Sequence, residues 1–180
     1  MAQVSSRYLA LTRSKLDLTR LPREVALPPP QRWAHGTPKS VLEPLLDYWL
    51  ETYDWRTTES TLNASLPQFR THITIPPSPP LRIHFVHKRS VHANAIPLLV
   101  CHSWPGSFIE VQRMIEMLAD PGGEGVQQAF HVVAPSIPGF GFSDASGEVG
   151  FGVGGAAGVF DGVMGRLGYG GGYVVHGVGW

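Results

Sequence analysis

The spacing of apolar and polar positions changes period several times along this 180-residue chain. Ile96-Pro97-Leu98-Leu99-Val100-Cys101 is apolar throughout and runs straight into His102-Ser103-Trp104-Pro105-Gly106-Ser107. A short unbroken apolar run predicts a strand buried on both faces, and the His102 to Ser107 stretch reads as a sharp loop opening a helix. Phe130-His131-Val132-Val133-Ala134 predicts a second such strand, ended by the loop Pro135 to Asp144. Tyr173-Val174-Val175-His176 predicts another, running into the glycine turn Gly177-Val178-Gly179-Trp180. Leu81-Arg82-Ile83-His84-Phe85 alternates instead, which predicts a half-buried strand after a Pro76 to Pro80 turn.

Helical spacing fills the intervals. Val41, Leu45, Tyr48, Trp49 and Thr52 predict a helix capped by Ser40, and Trp55 to Ser65 predicts a second, shorter one. Ser107 and Glu110 have the spacing of a capping box for a helix to Leu118, with Phe108, Val111, Ile115 and Leu118 on one face. Between Phe151 and Leu167 the positions Val153, Ala157, Phe160, Met164 and Leu167 keep helical spacing, but Gly154, Gly155, Gly158, Gly162 and Gly165 stand between them. Each such glycine costs about 1 kcal/mol relative to alanine. The segment is a helix pattern whose filler residues have been replaced by glycine. Pro22, Pro28-Pro29-Pro30 and Gly36 keep the early chain extended or turning. An echo of Leu9 to Arg13 in Leu16 to Arg20 is too short to be a structural repeat. From Ile96 to Val175 the order strand, helix, strand, helix, strand is that of parallel βαβ units.

Composition narrows the class. Apolar residues make up 43% and charged residues 16%, as in a globular domain, and the formal net charge is zero with a pI near 7.1. That balance favours neither nucleic acid nor an anionic membrane as partner. A single cysteine, Cys101, excludes an internal disulfide framework. No apolar run approaches a membrane span, and the N-terminus, with Arg7 and Arg13, lacks the apolar core of a secretory signal, so a soluble cytoplasmic protein is expected. Of the 21 glycines, 14 fall in the tail 147–180.

A series of ordered motifs resembles the epoxide hydrolases of the microsomal and juvenile-hormone type. They are Lys15-Leu16 with Thr19-Arg20-Leu21-Pro22, Tyr48-Trp49, Tyr53-Asp54-Trp55-Arg56, Leu62-Asn63, Gln68-Phe69, Ile83-His84-Phe85, the His102 to Ser107 loop, and Pro135 to Ser143. The resemblance implies an incomplete α/β-hydrolase fold. Residues 1–15 stay unassigned, 16–80 form an N-terminal helical and extended meander, and 81–180 form a truncated α/β core ending in the glycine-rich tail.

The chemistry implied by the resemblance is covalent: an aspartate carboxylate opens a hydrophobic epoxide, and a histidine–acid pair activates water against the resulting ester. No metal or organic cofactor is implied. Backbone N–H groups at Trp104 and Trp180 are the implied oxyanion donors, with His102, Pro105 and Gly106 supporting their loop. In the family the elbow reads Gly-Gly-Asp-Trp-Gly, which places Gly179 on the nucleophile position. Glycine has no group with which to attack. The cap tyrosines, the base and its acid partner lie after the elbow in the family, so the chain is expected to be inactive. Ser103 stands where the family loop usually carries glycine, and would strain the turn if that position needs a positive φ.

Other residues allow plainer readings. His84, His87 and His92 invite a metal, but His84 and His87 face opposite ways on a strand, so solvent-exposed histidines are expected. Cys101 reads as a small buried hydrophobe. Asp144 and Asp161 are the alternative carboxylates, and neither sits on a strand-to-helix elbow. Gly150 to Gly155 fits a dinucleotide fingerprint formally, but no strand leads into it. An inherited hydrolase therefore stands beside a non-catalytic interaction module, with a dinucleotide-binding protein third.

Overall fold

Two compact units make up the chain, Gln3–Thr61 and a second beginning at Leu62. The computed structural model describes residues 3–76, 79–122, 128–177 and 179. In the first unit, helix α1 (Ser6–Asp17) is capped by the Ser5 hydroxyl, which accepts from the Tyr8 amide. None of its residues is buried. A 3-10 turn at Pro29–Gln31 takes up the end of the proline triplet, and helix α2 (Lys39–Glu51) begins after Pro38. Ser40 therefore lies inside α2 and does not cap it. The predicted face of this helix is also displaced: Leu45, Tyr48 and Trp49 are exposed, while Leu42, Leu46 and Leu50 are half-buried. Both stripes recur every four residues, so periodicity alone does not choose between them. Helix α3 (Trp55–Ser65) has the predicted bounds. Its Glu59 is buried and accepts from the Val4 amide at 2.6 Å, the Trp55 Nε1 at 3.2 Å and the Arg56 guanidinium at 2.6 Å, which ties the start of the chain to this helix.

The second unit is built on a five-stranded sheet of order β1-β2-β4-β3-β5, with β1 Gln68–Ile73, β2 Leu81–Lys88, β3 Ile96–Cys101, β4 Phe130–Pro135 and β5 Val174–Gly177. Strands β4, β3 and β5 are mutually parallel, whereas β1 and β2 run antiparallel. Polar residues hide β1 from a reading of the sequence, and its pairing with β2 groups it with the sheet instead of the meander.

Between the parallel strands lie helix α4 (Ile115–Ala119) and helix α5 (Val153–Arg166). The predicted helix to Leu118 is in fact split, with a 3-10 stretch at Phe108–Arg113 ahead of α4. The chain moves from β3 to β4 on one side and returns across β3 to reach β5. Two right-handed crossovers made in opposite directions put their helices on opposite faces of the sheet. The packing agrees: Val86, Leu98, Val100, Val132 and Ala134 meet Leu66, Phe108, Val111 and Ile115 on one face. Ile83, Phe85, Leu99 and Val133 meet Val159, Phe160, Val163 and Met164 on the other. Strand β2 is thus buried on both faces from Ile83 to Val86, not half-buried as its alternation predicts.

The glycines of α5 are of two kinds, those crowded by a neighbour, among them Gly155 under the Phe151 ring, and those in open space. A Cβ on Gly158 would lie 3.0 Å from Ile75, just beyond the first strand, and one on Gly162 only 2.8 Å from Ile73 at its end, so these two let the helix approach that stretch of chain closely. Around Gly154 and Gly165 there is open space, and these two are filler.

Candidate functional site

The chain leaves the adjacent parallel strands β3 and β4 toward opposite faces of the sheet, so the carboxyl ends of these strands form a topological switch point, where α/β folds place their sites. His102 follows β3 at this point and is buried at 6% exposure. Its Nε2 lies 3.1 Å from the amide nitrogen of Ile137. A backbone N–H only donates, so Nε2 accepts; the ring proton is then on Nδ1 and is donated to the carbonyl of Ser103 at 3.0 Å. One neutral imidazole therefore joins the β3 loop to the β4 loop.

The rest of the first loop is turned outward. Trp104 is 64% exposed, its peptide bond to Pro105 is cis, and Pro105 and Gly106 are also exposed. The Glu110 carboxylate folds back over Gly106, in the space a Cβ there would need. It accepts from the Ser103 amide at 3.3 Å and the Ser103 hydroxyl at 3.2 Å. The expected capping box is therefore only half made: the Ser107 hydroxyl accepts from the Ile109 amide at 3.4 Å, while Glu110 serves Ser103. The described residues outside glycine all keep negative φ, so Ser103 is not strained in the way its replacement of glycine predicted.

Register brings the elbow to this loop. Cys101 pairs with Gly177, so two residues further on Ser103 and Gly179 come alongside one another. Gly179 has φ +100°, and a Cβ built on it would lie 2.8 Å from the Cβ of Ser103 and 3.6 Å from its Cα. Trp180, one of the two expected oxyanion donors, and Val178 lie outside the described residues.

A polar network that the sequence alone does not disclose joins β1 and β2 to the loop after β4. His84 is 2% exposed, not solvated as expected, because its neighbours satisfy both ring nitrogens: Ser136 Oγ at 2.9 Å and Gln68 Oε1 at 3.1 Å. Its ring meets Phe108 and Phe142 edge-on, with centroids at 4.6 and 5.3 Å. Burial, with a smaller contribution from the Arg70 charge, pushes its pKa down from 6.5 to about 4. The Ser143 hydroxyl accepts from the His84 amide at 3.0 Å and donates to the Ser136 carbonyl at 2.9 Å.

The remaining candidates are dispersed. His87 projects from the opposite face of β2 and meets the Tyr169 hydroxyl at 3.0 Å, while His92 pairs with Asp120. Among the described residues no group of three or more His, Cys, Asp or Glu side chains is arranged to hold a metal ion. Burial pushes the Cys101 thiol pKa up. Asp144 is engaged by Arg82 at 3.0 Å and Asp161 accepts from the Tyr173 hydroxyl at 2.8 Å. Gly150 to Gly155 spans a turn and the start of α5, with a loop and not a strand leading in. Among the described residues no helix is long and apolar enough to cross a membrane.

Strand order and crossovers define the first part of an α/β-hydrolase fold. The family model of the epoxide hydrolase N terminus matches residues 1–111. Epoxide hydrolase 1 of Sus scrofa is 38% identical over 162 residues, which is 85% of this chain and 34% of that protein. The epoxide hydrolase of Aspergillus niger superposes with a TM-score of 0.81 at 30% identity, covering 98% of this chain and 44% of that one. The juvenile hormone epoxide hydrolase of the silkworm Bombyx mori gives 0.79 at 30% identity, with the same coverage of 98% and 44%. The chain belongs to the epoxide hydrolase family. It spans about a third of the length of the curated relatives it matches.

Proposed function

We propose that the His102 loop and the Gly179 elbow, side by side at the carboxyl ends of β3 and β5, are the remains of an epoxide-hydrolase site from which the nucleophile has been lost. In the reaction the family resemblance implies, a carboxylate at position 179 attacks an epoxide carbon, the ring C–O bond breaks as its oxygen takes a proton from a cap tyrosine, and water then hydrolyses the ester, releasing the diol and the free carboxylate. The β3 loop would face that ester with Trp104 as an oxyanion donor, held in place by His102 and Glu110. A glycine at 179 provides no attacking atom. Loss of a covalent nucleophile costs roughly six orders of magnitude in rate, so the chain as it stands does not open epoxides. The observation that carries this reading is the positive φ of Gly179 beside Ser103, the sharp backbone geometry on which the fold family displays its nucleophile.

The test uses the purified 180-residue chain and an aromatic epoxide, with diol measured by chromatography. Diol at the uncatalysed rate supports the reading; turnover that disappears on changing Trp104 overturns it. A companion experiment returns the carboxylate as Gly179→Asp together with Ser103→Gly and looks for an added epoxide mass on the intact protein.

A second reading, as an interaction module, is favoured by β5. Among the described residues this strand pairs only with β3, and Val174 and Val175 are 46% and 56% exposed. An edge of this kind offers unpaired backbone groups to another strand. Concentration-dependent association, abolished by Val175→Lys, is the outcome that supports it.

A further inference from the structure

We infer that Ser103 is the residue that decides whether position 179 can carry a side chain at all. This deepens the proposed function, since it concerns the same site. The β3–β5 register sets residues 103 and 179 side by side, and the gap between them is sized for one Cβ. That Cβ belongs to Ser103: one added at Gly179 would lie 2.8 Å from it, closer than real Cβ atoms approach. The obstacle is not the movable end of a side chain. A Cβ is fixed by the backbone, and the Ser103 backbone is itself held, its amide and hydroxyl by Glu110 and its carbonyl by His102. Ser103 therefore cannot withdraw without breaking three hydrogen bonds. The resemblance places a glycine at 103 and an aspartate at 179 in the family; here the small and large positions are exchanged. The two departures form one compensated change, in which bulk has moved from the elbow to the loop. Restoring a nucleophile thus requires two substitutions, and Ser103→Gly is the permissive one.

The experiment is a folding cycle on the full chain with Gly179→Ala, which adds only the Cβ, alone and combined with Ser103→Gly or Ser103→Ala. Gly179→Ala is expected to lower the folding equilibrium constant in the wild-type and Ser103→Ala backgrounds alike, since both keep a Cβ at 103. In the Ser103→Gly background the loss is expected to shrink at least about threefold, the coupling that residues in contact show. A residual loss stays there because alanine is disfavoured at positive φ whatever the space. If Gly179→Ala alone yields no folded protein, recovery of soluble chain by Ser103→Gly but not by Ser103→Ala is the equivalent supporting result. Equal losses in all three backgrounds, or equal relief by Ser103→Ala, overturn the inference. Because the cycle reads folding and not turnover, its failure is separate from failure of the hydrolase reading, which the epoxide experiments decide.

Discussion

The Nε2 of His102 accepts from the amide of Ile137 at 3.1 Å, a hydrogen bond that joins the loop after β3 to the loop after β4. Replacing His102 by alanine leaves the Ile137 amide and the Ser103 carbonyl without these partners. Unpaired buried groups cost about 1–3 kcal/mol each. His102→Ala is therefore expected to destabilise the chain by about 2–4 kcal/mol and to raise amide hydrogen exchange at Ile137 well before the β4 strand. Unchanged exchange at that amide would show that the bridge is not what orders the loop.

Acid should weaken the fold through His84. Its folded pKa of about 4 lies below the ordinary 6.5, so between those values the unfolded chain binds the proton and the folded chain does not. Stability is thus fully present above pH 6.5, declines as the pH falls toward 4, and levels off below it with respect to this group. The loss amounts to at most about 3 kcal/mol. Urea unfolding at pH 7, 5.5 and 4.5 checks it, and His84→Gln should flatten this part of the profile even though it is less stable at pH 7.

Glu110 and Gly106 depend on one another. Alanine at 106 displaces the carboxylate that holds the Ser103 amide and hydroxyl. A loss of about 1–2 kcal/mol is expected for Gly106→Ala, and little further loss when Glu110→Ala is added, because the same contacts are already gone. Additive losses in a denaturant cycle would show that the two side chains act independently.

The glycines of α5 should divide under substitution. Gly165→Ala meets open space and is expected to raise stability by up to about 1 kcal/mol from helix propensity. Gly162→Ala meets Ile73 and is expected to lower it by about 1 kcal/mol net, since overpacking outweighs that gain. Thermal unfolding of the two variants side by side distinguishes them by sign.

What the sequence disclosed tracks the strength of the burial. Strands β3 and β4 are legible because their residues are sandwiched between helices on both faces, and Phe108, Val111 and Ile115 are legible because they share one buried face. Strand β1 is not, since Gln68, Arg70 and His72 lie on an edge where no core demands apolar residues. Helix α1 is equally hidden because it buries no residue. The burial of His84 escapes the sequence, since composition does not reveal that Ser136 and Gln68 converge on its ring from distant parts of the chain. The role of Glu110 escapes it too, because spacing from Ser107 is local, whereas its partner Ser103 is selected by how the loop folds back. Residue 179 is identifiable as a missing carboxylate, but its neighbour across the gap comes only with the strand register.

The segment from Ser136 to Asp144 is fastened to β2 at both of its ends. The Ser136 amide donates to the His84 carbonyl at 2.8 Å, the His84 amide to the Ser143 hydroxyl at 3.0 Å, and the Asp144 amide to the Arg82 carbonyl at 2.9 Å. This rim is an abutment and not a flap. The loop after β4 is thus fixed by the strand beside it, whereas the loop after β3 turns Trp104 out into solvent.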